Sequence, residues 1–143
     1  MPRGFAPAKR FFFDRPAVRR LIDRPTARFL VRYGGFVRTV ARRSIRKRKA
    51  VSRPGTPPTD RTGKLKRGIF FSFDAKRRSV VIGPTRSAGT EHRGRLPRTL
   101  EEGGRLPGPD GRSRRFAPRP FMGPAQEKGL DRRRQFWRQS IAA

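Results

Sequence analysis

Arginine supplies most of the chemistry this chain has to offer. Its 143 residues include 31 Arg and 7 Lys against 10 Asp and Glu, a formal net charge of +28. A guanidinium stays protonated at any working pH and presents a fork of donors that can hold a phosphate or carboxylate through two parallel hydrogen bonds. The cations come in clusters: Arg42, Arg43, Arg46, Lys47, Arg48 and Lys49; Lys64, Lys66 and Arg67; Lys76, Arg77 and Arg78; Arg112, Arg114, Arg115 and Arg119; and Arg132, Arg133 and Arg134. Contacts of this kind read charge and backbone shape, not base sequence. Arg42, Arg43, Arg46, Arg48, Lys64, Lys66, Arg67, Arg77, Arg78, Arg114 and Arg115 are the positions expected to face DNA or a partner protein. Any one cluster could equally form a solvated or intersubunit ion-pairing face.

Catalysis has little to build on. His92 is the single histidine and there is no Cys, so a Ser-His-Asp or Cys-His arrangement would hang on one imidazole in a loop rich in Gly and Arg. It reads as a solvated loop residue. Glu101 and Glu102 are adjacent, and in a strand their side chains would point to opposite faces instead of flanking one substrate bond. Asp74, Asp110 and Asp131 sit among cations and read as local ion-pair partners. Neither carboxylates nor imidazoles cluster as a metal site needs. Thr62-Gly63-Lys64 echoes a phosphate loop but lacks the upstream glycine and the following hydroxyl. The expectation is a protein that is not an enzyme and carries no cofactor or metal.

The elements that must carry the arginines are legible in outline. From Pro25 to Lys49, apolar residues recur at helical spacing (Phe29, Leu30, Tyr33, Phe36, Val37, Val40, Ala41, Ile45), predicting a long amphipathic helix with a cationic outer face. A start near Val18 would instead place Pro25 inside that helix and kink it. Gly34 and Gly35 each cost about 1 kcal/mol in a helix interior relative to Ala and suggest close approach of another backbone. Residues 50–63 are dense in Pro and Gly and read as a loop. Period two over Ile69, Phe71 and Phe73, a turn at 74–78, and Ser79-Val80-Val81-Ile82 predict a β-hairpin. Leu96 to Leu100 reads as a short edge strand, confined to the sheet margin by Pro97, and 114–117 as a last strand. A C-terminal helix follows, with Pro124 in its first turn.

These elements make an α+β domain: a long N-terminal amphipathic helix packed on a small antiparallel sheet (the hairpin plus short edge strands), then a C-terminal helix. Residues 1–16, with Pro2, Pro7, Pro16 and the triplet Phe11-Phe12-Phe13, read as an extended arm, and 17–143 as a single domain with long loops at 50–63 and 85–113. The 33% hydrophobic content implies a small core, so neighbours or a ligand are expected to complete the stability, and a free monomer would repel itself. With no cysteine, a disulfide framework is excluded. No apolar run reaches a membrane span and the N-terminus does not read as a signal peptide, so no membrane and a cytoplasm-like compartment are expected.

The order of short motifs adds a resemblance. The helix ending Val40-Ala41-Arg42-Arg43-Ser44-Ile45-Arg46 is followed by Pro54-Gly55-Thr56-Pro57-Pro58 and Arg61-Thr62-Gly63-Lys64-Leu65-Lys66-Arg67-Gly68-Ile69. Then come Val80-Val81-Ile82-Gly83-Pro84, Leu100-Glu101-Glu102-Gly103-Gly104 and Arg119-Pro120-Phe121-Met122-Gly123-Pro124-Ala125. This resembles the tail-completion, or head–tail joining, family of long-tailed bacteriophages, whose members are minor tail or virion morphogenesis proteins. The likeness spans about residues 26–140 and rests on five individually weak motifs in the right order. It departs from the family in the Phe-rich arm, the excess charge, and Gly103-Gly104 where the family often has Gly-Thr.

The resemblance implies a structural virion protein of the neck or upper tail that forms a ring, usually a hexamer in such proteins, between the DNA-filled head and the tail tube. Its implied partners are further copies of itself, adjacent neck or adaptor proteins, tube or terminator proteins, and packaged DNA approached without sequence preference. It would assemble in the host cytoplasm. The motif positions Pro57, Pro58, Thr62, Gly63, Leu65, Ile69, Gly83, Pro84, Leu100, Glu101, Gly103, Arg119, Pro120, Phe121, Pro124 and Ala125 are implied to be structural. A different reading, an RNA-binding structural protein of ribosomal type, fits the same basic, Pro- and Gly-rich composition.

Overall fold

A computed structural model describes residues 15–85, 95–108 and 110–142. Helix α1 runs Arg15–Ser44 and includes Pro25. It therefore begins well before Pro25 and takes Arg15 and Pro16 from the expected arm; residues 1–14 lie outside the described part. Proline within a helix removes one backbone bond and crowds the preceding turn, at a cost of about 3 kcal/mol. A half-exposed ion pair from Arg78 to Asp23 at 2.9 Å lies beside that turn and returns at most about 1 kcal/mol of it. At the other end α1 stops at Ser44, not Lys49, and the Ser44 hydroxyl turns back to donate to the Ala41 carbonyl at 2.8 Å.

A single helical turn, α2 (Lys64–Arg67), leads into strands β1 (Ile69–Asp74) and β2 (Ser79–Pro84). The strands pair antiparallel from Ile69 opposite Pro84 to Asp74 opposite Ser79. The Asp74 carboxylate holds the turn by accepting from the backbone N–H groups of Lys76 and Arg77 at 2.9 and 3.0 Å, as Asp does in Asx turns. The alternating face that carries Ile69, Phe71, Phe73, Val80 and Ile82 is turned to α1.

The two helical glycines have different uses. A Cβ on Gly34 would lie 2.8 Å from both the Phe71 ring and a Val80 methyl, whereas on Gly35 the nearest Phe71 atom is 3.9 Å away. Gly34 is thus the point where the hairpin rests on the helix, through side chains and not backbone. Gly35→Ala is expected to raise stability by about 0.5–1 kcal/mol through helix propensity alone. Gly34→Ala is expected to lower it by about 1 kcal/mol, because overpacking outweighs the same gain. Urea denaturation of the two variants checks the opposite signs.

The remaining elements are α3 (Leu96–Glu102), β3 (Gly104–Pro107), β4 (Ser113–Phe116), α4 (Met122–Asp131) and α5 (Arg133–Ile141). The segment expected as an edge strand at 96–100 is a helix, and Pro97 sits in its first turn, where a missing N–H removes nothing. Strands β3 and β4 pair with each other and not with the hairpin, so there are two two-stranded sheets among the described residues. The expected loop 85–113 accordingly contains α3 and β3. The C-terminal helix is two helices meeting at Arg132.

Helix α1 packs against the hairpin and against α4 and α5. Phe29 meets Trp137 edge-on, and Phe36 meets Phe136, at centroid distances of 5.7 and 5.3 Å. Gly129 lets α4 close onto Tyr33 and Val37, and burial there raises the Tyr33 phenol above its usual 10.0. Val37, Ala41, Ile45, Leu65, Ile69, Phe121 and Ala125 form the buried cluster, with Leu100 and Met122 against it.

Candidate polyanion-binding surface

The clusters that looked alike in sequence are sorted by their carboxylate neighbours. Arg78 pairs with Asp23, Arg77 lies 3.9 Å from Asp74, and Arg114 lies 3.5 Å from Asp110. Arg98 is engaged by Glu102 at 3.0 Å. These cations are partly neutralised on the spot. Lys64, Lys66 and Arg67 ride on the α2 turn, whose backbone is organised by Asp60: its carboxylate accepts from Gly63 N at 2.9 Å and from Lys66 N at 3.0 Å. Arg67 donates to the Thr62 carbonyl at 3.3 Å. Arg115, with Arg105, borders an open concavity of about 870 Å³ near Phe116 and Pro118, whose lining also carries the Glu102 carboxylate.

Arg43, Arg46 and Arg48, like Lys64, Lys66, Arg67, Arg115 and Arg132 to Arg134, have no carboxylate partner among the described residues, and they differ in sharing one cleft. With Arg53 they line a cleft of about 560 Å³ between the end of α1 and the loop after it. All four are exposed, and among the described residues none has a carboxylate within ion-pair distance. Between Asp23 and Asp60 the chain has no acidic residue at all, while it carries nine Arg and two Lys. Arg42 is half-buried and is not part of the lining.

The loop that carries this cleft is fastened along its length. Arg46 and Thr59 form an isolated parallel bridge, with Asp60 N donating to the Arg46 carbonyl at 2.9 Å. The Thr59 hydroxyl donates to the Ala50 carbonyl at 2.7 Å. Pro58 is fully buried under it. Arg119 reaches from the far end of the chain to donate to the Ser52 carbonyl at 3.0 Å, and Gly55 N donates to the Pro118 carbonyl at 2.8 Å. A loop so pinned presents its guanidinium groups from a set backbone, which lowers the ordering cost of binding.

The motif residues sit at junctions. Gly63 has φ of 76°, the left-handed conformation that lets the chain turn into α2 without a side-chain clash. Leu65 and Ile69 are buried against Val37, Ala41 and Ile45. Pro84 closes the hairpin register opposite Ile69, and Gly83 lies opposite Phe70. Glu101 and Glu102 are on a helix, not a strand, and do different work. Glu101 accepts from Phe121 N, Met122 N and Gly123 N at 2.9, 3.0 and 2.7 Å. It thereby serves the unpaired donors at the start of α4 from another element. Gly103 ends α3 with φ of 79°, and Pro120 and Pro124 bracket the buried Phe121 ahead of buried Ala125.

No protein-family model, curated protein or solved structure matches this chain. Among the described residues no three of His, Cys, Asp or Glu come together as metal donors would, and no helix is long and apolar enough to cross a membrane. His92 lies outside those residues. Sequence reasoning missed Arg53 as part of the cationic surface because it stands alone between Ser52 and Pro54. The absence of any acid from residue 24 to 59 is the signal that could have found it.

Proposed function

We propose that this chain is a structural, non-enzymatic assembly protein: a ring-forming component of a phage neck or upper tail, joining a DNA-filled head to the tail tube. The observation that carries the reading is the ordered set of motifs, each now attached to a junction that holds one small domain together. Glu101 ties α3 to α4, Arg119 ties the loop after α1 to the segment before α4, and Gly63 turns that loop towards the hairpin. The charge supports the same reading. A chain at +28, with arginines on a pinned loop that lack carboxylate partners among the described residues, needs anionic company.

In this reading further copies of the chain and neighbouring neck, adaptor, tube or terminator proteins cover the exposed apolar side chains. Phe70 and Val81 lie on the outer hairpin face, and Leu130 and Ile141 on α4 and α5. Hairpin and C-terminal helices are different surfaces, so a contact between those of neighbouring copies would be head-to-tail, the kind that forms a ring where the rotation closes. The alternative, an RNA-binding structural protein of ribosomal type, shares the charge and the basic cleft. Sizing of the nuclease-treated chain in high salt separates the two. A stable oligomer free of nucleic acid is expected, and a strict monomer that retains RNA would establish the alternative.

A further inference from the structure

We infer that the cleft lined by Arg43, Arg46, Arg48 and Arg53 binds the phosphate backbone of a nucleic-acid duplex, and that it is the main such site among the described residues. The inference goes beyond the ring reading and does not depend on it: a monomer and a ring would both carry the cleft.

Three observations converge. First, four guanidinium groups share one concave surface with no carboxylate on its lining. Their mutual repulsion is unrelieved within the described chain, and several closely spaced anions relieve it best. The Arg77, Arg78 and Arg114 side chains already have carboxylates beside them and would have to exchange one anion for another. Second, the loop that carries the arginines is pinned: the Ser44, Thr56 and Thr59 hydroxyls on the lining donate to backbone carbonyls, which leaves the guanidiniums as its available side-chain donors. The loop backbone at Ser52 is held in turn by Arg119. Third, the lining contains no Phe, Tyr, Trp or His. Binders of single strands rely on aromatic platforms for unstacked bases. A cleft with arginines but no platform suits phosphates whose bases remain paired. Its volume of about 560 Å³ is in the range of ligand clefts, far from a slot for one small ion.

The test compares two charge-matched variants of the full chain. R46Q/R48Q/R53Q empties the cleft of three exposed guanidiniums. R105Q/R112Q/R115Q removes three exposed ones around the β3–β4 sheet. Both should keep the parent's thermal unfolding, since all six side chains are at the surface. Binding is followed by fluorescence anisotropy with a short duplex DNA, the matching duplex RNA and a single-stranded oligonucleotide, across a salt series. Neutralising the cleft should weaken binding to duplex roughly 10–100-fold at physiological salt. It should also make the log–log salt slope shallower by about 2–3, near 0.9 for each phosphate that the protein no longer neutralises. The control variant should change affinity by less than about fivefold, and the single strand should bind the parent more weakly than duplex. The DNA and RNA arms identify which duplex is preferred. Equal losses in both variants would mean that only net charge matters, and would overturn the assignment. So would single-strand binding tighter than duplex, or a cleft-specific loss seen with polyglutamate and not with either duplex, which would assign the surface to an acidic protein.

Discussion

Replacing Phe121 by alanine is expected to cost about 3–5 kcal/mol, the usual penalty for removing a fully buried phenylalanine ring. Phe121 is 1% exposed and belongs to the cluster that joins α1, α2, β1 and α4 through Ile45, Leu65, Ile69 and Ala125. Domains of this kind have only about 5–15 kcal/mol in total, and self-repulsion at +28 places this one towards the low end. Phe121→Ala should therefore populate the unfolded state even without denaturant, while Phe121→Leu, which fills more of the site, should lose only about 1–1.5 kcal/mol. Urea titration of far-ultraviolet circular dichroism measures both. A loss under about 1 kcal/mol for the alanine variant would mean that the site collapses freely and that Phe121 is no anchor.

The second large effect belongs to Glu101. Its carboxylate accepts three consecutive backbone N–H groups at the start of α4, at 2.7 to 3.0 Å, a set of charge-assisted bonds with no local substitute. The residue before the helix supplies no side-chain cap. Glu101→Ala should cost about 2–3 kcal/mol, less than the sum of three such bonds because the site is half-buried and water reaches it. Glu101→Gln, which keeps an acceptor oxygen but not the charge, should cost about half as much. The melting temperature should fall by about 8–12 °C for the alanine variant. Hydrogen exchange should speed up first at the amides of residues 121–123. Uniform acceleration across α1 would contradict a local capping role. Because Glu101 grips the backbone of Phe121 itself, the two losses should not add in the double variant.

The hairpin was legible because its signal is local: alternating Ile69, Phe71 and Phe73, a turn with Asp74, and a β-branched return. The helical stripe of α1 was legible for the same reason, although its start was not. Pro25 ordinarily argues for a boundary, yet α1 runs through it, with the Asp23–Arg78 pair, distant in sequence, beside that turn. Pro97 misled in the opposite way, since the residue that suits an edge strand also suits the first turn of α3. The break between α4 and α5 at Arg132 follows from packing both segments against α1, with Phe36 under the Arg132 guanidinium at 5.1 Å.

The site divides along the same line. That arginines would matter was evident from composition, and Arg43, Arg46 and Arg48 were visible as a cluster. Which clusters stay unpaired depends on acids brought from elsewhere in the chain. Arg119 shows the limit most clearly. It was counted in a cationic cluster and also implied by the motif order to be structural, and the contact itself was not legible: its side chain turns onto the Ser52 and Ala117 carbonyls at 3.0 and 3.1 Å and holds the loop that bears the cleft. Glu101 was expected on a strand, with the motif order implying a structural position, and its role as a remote cap needed α3 and α4 to be placed side by side.

The most direct test of the central claim is single-particle imaging of the purified, nuclease-treated chain. A ring-forming neck protein should give closed annuli of one rotational symmetry, with a central opening and no bound nucleic acid. Isolated single copies, or copies seated on folded RNA, would contradict that reading.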